Sequence, residues 1–196
     1  MGMRAEKFIL ASSSPRRKDL LKSLGFEFDV IPASVDESMR KSESPMEHSY
    51  RLAREKARNV AKRYPEKWVI AADTIVIIDG KILGKPKSEA EAFEMFKRIS
   101  GRVHTVITAF CILKQEGPTY ENHAESKVKI AHLADEEIRW YISTGEPLDK
   151  AGAYGAQGIG AMFIKKINGS YTNVVGLPLA ELIEGMKKLK LVRFEK

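Results

Sequence analysis

The stretch Val69-Ile70-Ala71-Ala72-Asp73-Thr74-Ile75-Val76-Ile77-Ile78 places apolar side chains at both parities and runs straight into Asp79-Gly80. A β-branched run of this length ending in Asp-Gly reads as a buried central strand over residues 68–78 that turns into a hairpin. In its middle stands Asp73. A carboxylate buried in a strand is costly unless it is paired, hydrogen-bonded or bound to a cation. Alternation toward an open sheet face is the bland account, and apolar residues on both sides of the pleat argue against it.

The flanking segments alternate between strand and helix. Phe8-Ile9-Leu10-Ala11 reads as a short strand, and Ser14-Pro15 as a cap with a first-turn proline. That helix runs through Leu20, Leu21 and Leu24 to Gly25, and Phe26, Phe28 and Val30 then alternate as a half-buried strand. Ser44-Pro45-Met46-Glu47 is a capping box that opens a second helix, which ends before Pro65. A third helix runs from Ser88 to Gly101. Strands are expected at residues 103–113 and 120–131, joined by Gly117-Pro118, followed by a short helix capped by Asp135 that stops at Gly145. A Gly-rich loop, a strand at residues 162–167, an Asn168-Gly169 turn and a last helix from Pro178 complete the chain. This interleaving predicts an α/β fold with a mixed central sheet and flanking helices. With no repeat, low-complexity tract or long linker, the 196 residues read as one domain drawn out into two lobes.

The longest apolar runs are about half the ~20 residues of a membrane span, and the first residues lack the apolar core of a signal peptide. A cytoplasmic protein is expected. The single cysteine, Cys111, lies in an apolar run and reads as a small buried hydrophobe. The net charge of +7 suits an anionic partner, although part of the excess sits in the tail Lys187-Lys188-Leu189-Lys190-Leu191-Val192-Arg193, read as a solvated helix end.

Several residues suggest phosphate chemistry. In Ser12-Ser13-Ser14-Pro15-Arg16-Arg17, two arginines occupy a first helical turn, where the helix dipole favours acids. A bound phosphate would neutralise both the arginines and the helix end. On the second helix, Met46, Leu52, Ala53, Ala57 and Val60 form an apolar stripe, and Lys56 falls within it, so an inward lysine needs an acidic or phosphate partner. Snorkelling along the apolar surface is the competing account. Glu37, after the second strand, and Lys85, in Gly84-Lys85-Pro86 after the hairpin, can reach the same region. Arginines, lysines and carboxylates at successive strand ends are what a metal–triphosphate site requires.

Other motifs fail. No Gly-Lys pair is followed by Ser or Thr, so there is no Walker loop. Glycines 152, 155, 158 and 160 do not follow dinucleotide-binding order and read as a flexible loop wall. His48, His104, His123 and His132 lack metal-ligand spacing and read as neutral, partly exposed residues. No serine sits in a nucleophile elbow.

The blocks Ser12 to Arg17 with Leu20-Leu21, Val35-Asp36-Glu37, Leu52-Ala53-Arg54-Glu55-Lys56-Ala57, Ala72-Asp73-Thr74 and Gly84-Lys85-Pro86 resemble the Maf family. So do Leu148-Asp149-Lys150-Ala151-Gly152-Ala153-Tyr154-Gly155, Ile167-Asn168-Gly169-Ser170-Tyr171 and Val175-Gly176-Leu177-Pro178. These proteins, also called septum formation inhibitors, act as nucleoside triphosphate pyrophosphatases. The resemblance implies an elongated fold like that of inosine triphosphate pyrophosphatases, with the active site in a cleft between two lobes. It implies a divalent metal, magnesium or manganese, and Asp73 as the base that activates water for attack on the α-phosphorus. Arg17, Lys56 and Lys85 would then offset phosphate charge, with Ser12 and Arg16 also on the substrate and Glu37 helping Asp73 hold the metal.

Three positions separate a family branch cutting dTTP and UTP from one cutting 7-methyl-GTP. Here they are Arg16, Thr74 and Gln157, which resemble the dTTP/UTP branch; the other branch carries Trp, Gln and Glu. The triple serine departs from the family's more usual Ser-Gly-Ser. The rival reading is a nucleic-acid-binding or cell-division regulatory protein without hydrolase activity, which would have no use for Asp73 and Glu37. The expected partner is a nucleoside triphosphate, with no nucleic acid and no membrane, and a homodimer is left open.

Overall fold

The apolar decapeptide is a strand from its first residue to its last, Val69–Ile78 (β4), in the computed structural model of this chain, which describes residues 2–195. Asp79 and Gly80 both take positive φ (51° and 69°), which turns β4 into the antiparallel strand Lys81–Leu83 (β5). Ahead of β4 come Gly2–Ala5 (β1), Phe8–Leu10 (β2), helix Pro15–Ser23 (α1), Phe28–Val30 (β3) and helix Pro45–Ala61 (α2). After β5 come Glu89–Ile99 (α3), Val103–Leu113 (β6), Thr119–Ile130 (β7), Asp135–Ser143 (α4), Ile164–Asn168 (β8), Tyr171–Val175 (α5), Leu179–Lys188 (α6) and Val192–Glu195 (β9). Three short 3-10 segments, Glu146–Asp149, Ala151–Ala153 and Ile159–Phe163, lie between α4 and β8.

The main sheet has the order β3-β2-β4-β6-β7-β8, with β5 on β4. Strand β2 pairs parallel with β3 and β4, whereas β4–β5 and β7–β8 are antiparallel, so the sheet is mixed. Contacts divide the chain into two compact units. The first comprises Met1–Asp73, Thr108–Ala124 and Gly176–Lys196, and the second Thr74–Ile107 and Glu125–Val175.

In the first unit, α2 begins with the expected capping box: the Ser44 hydroxyl accepts from the Glu47 amide and the Glu47 carboxylate accepts from the Ser44 amide. Ala53, Ala57, Val60 and Ala61 then pack on Ile9 and Ala11, on Val69 and Ala71 of β4, and on Ala109 and Cys111 of β6. Small residues along this stripe hold the helix close to the sheet. In the second unit, Val76 and Ile78 of β4 join Phe96, Val128, Ile138, Tyr141 and Phe163 in a separate core. The two ends of β4 thus serve two cores with side chains of opposite parity, which explains the apolar character at both parities.

Some sequence expectations are corrected. The basic tail is not all helix end: α6 stops at Lys188, and β9 pairs antiparallel with β1, Met3 opposite Phe194. Alternation in a four-residue edge strand is too short a signal to detect. Asp135 is the first residue of α4 rather than its cap; Ala134 holds that position, its amide donating to the Glu137 carboxylate at 2.8 Å. Between the Asn168-Gly169 turn and the last helix lies a further short helix, Tyr171–Val175, that was not expected from the sequence. His48 and His104 are buried, His104 lying 2.6 Å from the Tyr154 hydroxyl, and burial lowers its pKa to about 4. No helix among the described residues is long and apolar enough to cross a membrane.

Gly185, buried in α6, gives a test of this packing. Alanine in a helix interior normally gains about 1 kcal/mol over glycine. Here its Cβ would run into the Tyr120 ring and meet Ile112 Cδ1 at 3.2 Å. Overpacking of this kind costs about 1–3 kcal/mol, so Gly185→Ala is expected to lower stability in urea unfolding, against its helix propensity. A gain in stability would show that the Tyr120 ring moves aside freely.

Candidate active site

Asp73 lies at the same parity as Val69 and Ala71, so the pleat of β4 turns it toward α2. On α2, Lys56 extends from the apolar stripe to meet it, its Nζ donating to Asp73 Oδ1 at 2.8 Å. The same Nζ is 2.6 Å from Glu37 Oε1. The Lys56 and Asp73 side chains are only 12% and 10% exposed, while Glu37 reaches in from the solvent side at 53%. Pairing, rather than an open sheet face or snorkelling, therefore resolves the burial of both Asp73 and Lys56.

A second contact from α2 was not read from the sequence. Ser49, fully buried, donates its hydroxyl to the Asp73 carbonyl at 3.1 Å and accepts from the Ala109 amide at 3.3 Å. Ser49 and Lys56 are seven residues apart and share a helix face. One helix thus grips Asp73 by its backbone and by its carboxylate. The helical period that singled out Lys56 contains the Ser49 signal too, but a serine on an apolar stripe raises no charge problem and so draws no notice.

Arg17, on the first turn of α1, donates through Nε to the Gly176 carbonyl at 2.7 Å and through Nη1 to Ser12 Oγ at 3.2 Å. Ser12 Oγ also accepts from the Ser14 amide at 3.2 Å, which fixes the turn entering α1. No side chain caps α1 at Ser14, and its first turn carries no acid. Burial lowers the Arg17 pKa and Arg16 lowers it further, opposed by the Asp73 and Glu37 carboxylates. The first unit therefore brings Ser12, Arg16, Arg17, Glu37, Lys56 and Asp73 into one electrostatic neighbourhood.

The second unit carries Thr74, Lys85 and Gln157. Thr74 is the next residue of β4 and half-buried, and Lys85 is exposed on the segment after β5. Gln157 is half-buried in the turn between two 3-10 segments. The glycines around it do not form an open wall: Gly152, Gly155 and Gly160 are buried, and a Cβ on Gly155 would lie 2.9 Å from the Gln157 carbonyl. Cys111 is buried, and burial raises its thiol pKa, as a core hydrophobe requires.

Among the described residues, no three of His, Cys, Asp and Glu gather as a metal cage. Glu37 and Asp73 meeting at one ammonium are nonetheless a donor set that suits a hard divalent cation, since magnesium is commonly held by one or two carboxylates together with substrate phosphates.

The model of the Maf family (Maf-like protein) matches residues 7–189. A dTTP/UTP pyrophosphatase of Syntrophus aciditrophicus is 48% identical over 193 residues, spanning 98% of this chain and 94% of that protein. One of Desulfotalea psychrophila is 52% identical over 177 residues, spanning 90% and 91%. Among solved structures, the Ham1 protein of Staphylococcus aureus is 18% identical with a TM-score of 0.49, over 81% of this chain and 80% of that one. The family match takes in every sequence block from Ser12 to Pro178, and with relatives near half identity over almost the full length of both chains, this chain belongs to the Maf family.

Proposed function

We propose that this chain hydrolyses nucleoside triphosphates to a monophosphate and pyrophosphate, with dTTP and UTP as its substrates. Relatives about half identical over nearly their whole length bear the name dTTP/UTP pyrophosphatase, which supports the substrate class. The observation that carries the chemistry is the buried Asp73 carboxylate held on Lys56. In this mechanism Asp73 accepts a proton from water as the water oxygen bonds to the α-phosphorus. The bond from that phosphorus to the α–β bridging oxygen breaks, and pyrophosphate leaves with the electron pair.

Arg17, Lys56 and Lys85 offset the charge that gathers on the phosphate oxygens, and Ser12 and Arg16 position the substrate beside them. Glu37 and Asp73 would hold a magnesium or manganese ion, which supplies charge neutralisation on the triphosphate when bound. Arg16, Thr74 and Gln157 select the base. Gln157 offers both a donor and an acceptor, the pattern a uracil or thymine edge requires. The reading includes a cytoplasmic location, no nucleic acid or membrane partner, and a second copy of the chain as the protein partner it allows. DNA binding that falls steeply with salt, without triphosphate hydrolysis, would favour the rival nucleic-acid reading.

The test is product identity. The purified protein with magnesium or manganese is expected to convert UTP and dTTP to monophosphate and pyrophosphate, and chelation is expected to stop it. Orthophosphate and a diphosphate as products would place the cleaved bond elsewhere.

A further inference from the structure

In the second unit, one carboxylate organises the loop that presents Gln157. Glu146 opens the first 3-10 segment after α4, and its two oxygens accept from consecutive backbone amides thirteen and fourteen residues on. Oε2 accepts from Ile159 at 2.8 Å, and Oε1 accepts from Gly160 at 2.9 Å. These are the first amides of the Ile159–Phe163 segment, which helical bonding leaves without a partner. Oε1 also accepts from the Tyr141 hydroxyl at 2.8 Å, and that hydroxyl accepts from the Gly155 amide at 3.2 Å. Tyr141 is fully buried on α4, within the core of the unit.

Both ends of the 155–160 turn are therefore tied to one anchor, with Gln157 between them. The glycines are shaped to it. A Cβ on Gly158, which has a φ of 76°, would lie 2.6 Å from Glu146 Oε2. A Cβ on Gly160 would collide with the Tyr141 hydroxyl and lie 2.7 Å from the Gly155 carbonyl. Burial pushes the Glu146 carboxyl up in pKa, but the Gly160 and Ile159 amides and the Tyr141 hydroxyl more than reverse this, so its pKa falls below the ordinary value. The carboxylate form is the one the loop holds.

We infer that Glu146, buttressed by Tyr141, is a positioning residue for base selection: it fixes the 155–160 turn and with it the backbone position from which Gln157 is presented. The inference rests on the proposed role of Gln157. A base-reading side chain discriminates best when its backbone cannot shift to suit another base, and a turn held by three hydrogen bonds to an α4-anchored clamp supplies that constraint.

Glu146→Gln tests it, because the amide nitrogen of Gln cannot accept from a backbone amide and one of the two backbone bonds must break. In the full chain, hydrogen exchange of the Ile159 and Gly160 amides is expected to quicken about tenfold or more. The ratio of kcat/KM for UTP over GTP is expected to fall about tenfold, chiefly through KM for UTP. Tyr141→Phe, which removes only the hydroxyl, is expected to shift both readings in the same direction by less, and stands in if Glu146→Gln does not fold. Gln157→Ala separates this inference from the reading beneath it. Selectivity unchanged in Gln157→Ala overturns the base-selection role of Gln157 and this inference with it. Selectivity lost in Gln157→Ala but kept in Glu146→Gln overturns this inference alone, as does unaltered exchange at the two amides.

Discussion

Asp73→Asn is expected to lower turnover on UTP by about 10²–10⁴-fold while the protein stays folded, the range seen when a positioned general base is lost. The substitution keeps the shape of the side chain and an oxygen for Lys56 to bind at Asp73 Oδ1, so the grip of α2 on the strand is largely retained. The backbone tie from Ser49 to the Asp73 carbonyl does not involve the side chain at all. What is lost is the basicity of the side chain and, under the proposed mechanism, one of the two carboxylates that would hold a divalent cation. The check is steady-state kinetics together with a melting curve on the same preparation. Turnover within a few-fold of the parent, at unchanged melting temperature, would remove Asp73 from the chemistry.

Asp73 also shows how far this sequence can be read. The eight apolar positions of β4 announced a buried strand, and the charge inside it called for a partner or a cation; the helical period of α2 put Lys56 on the apolar stripe, either paired or snorkelling. Two independent periodicities thus each left a charge in want of a partner, but neither named the other, and the Lys56–Asp73 pair came only with the structure. Glu37 as the other arm of the pair was legible only as an acid near a strand end, because the segment between β3 and α2 has no period to fix direction. The clamp of Glu146 on Ile159 and Gly160 was not legible, since its contacts join residues thirteen and fourteen apart in irregular backbone. There the glycines were the one trace, and a glycine in a loop signals freedom as readily as close approach. The β1–β9 pair escaped for a different reason: short edge strands at the two termini have too few residues for alternation to speak.

The ion pair itself carries the second large effect. Lys56→Met keeps the length and apolar stem of the side chain, so the stripe on Ala53 and Ala57 stays filled, but the ammonium that joins Asp73 and Glu37 is gone. Both oxygens approach that nitrogen within 2.8 Å, so without it two carboxylates face one another across the space of a single ammonium. Removing one partner of a buried pair typically costs 3–5 kcal/mol, and because Glu37 is half-exposed and can turn toward water, about 2–3 kcal/mol is expected here. Under the proposed mechanism activity is expected to fall by about 10²-fold or more, since the cation assigned to the phosphates is lost along with the partner that orients Asp73. The destabilisation and the loss of rate are separable by a double-mutant cycle. If the cost in stability arises from stranding the Asp73 carboxylate, adding Asp73→Asn to Lys56→Met returns part of the lost stability while activity stays low. Additive destabilisation in the double variant would mean that Lys56 holds the fold by packing, and that its link to Asp73 is incidental to stability.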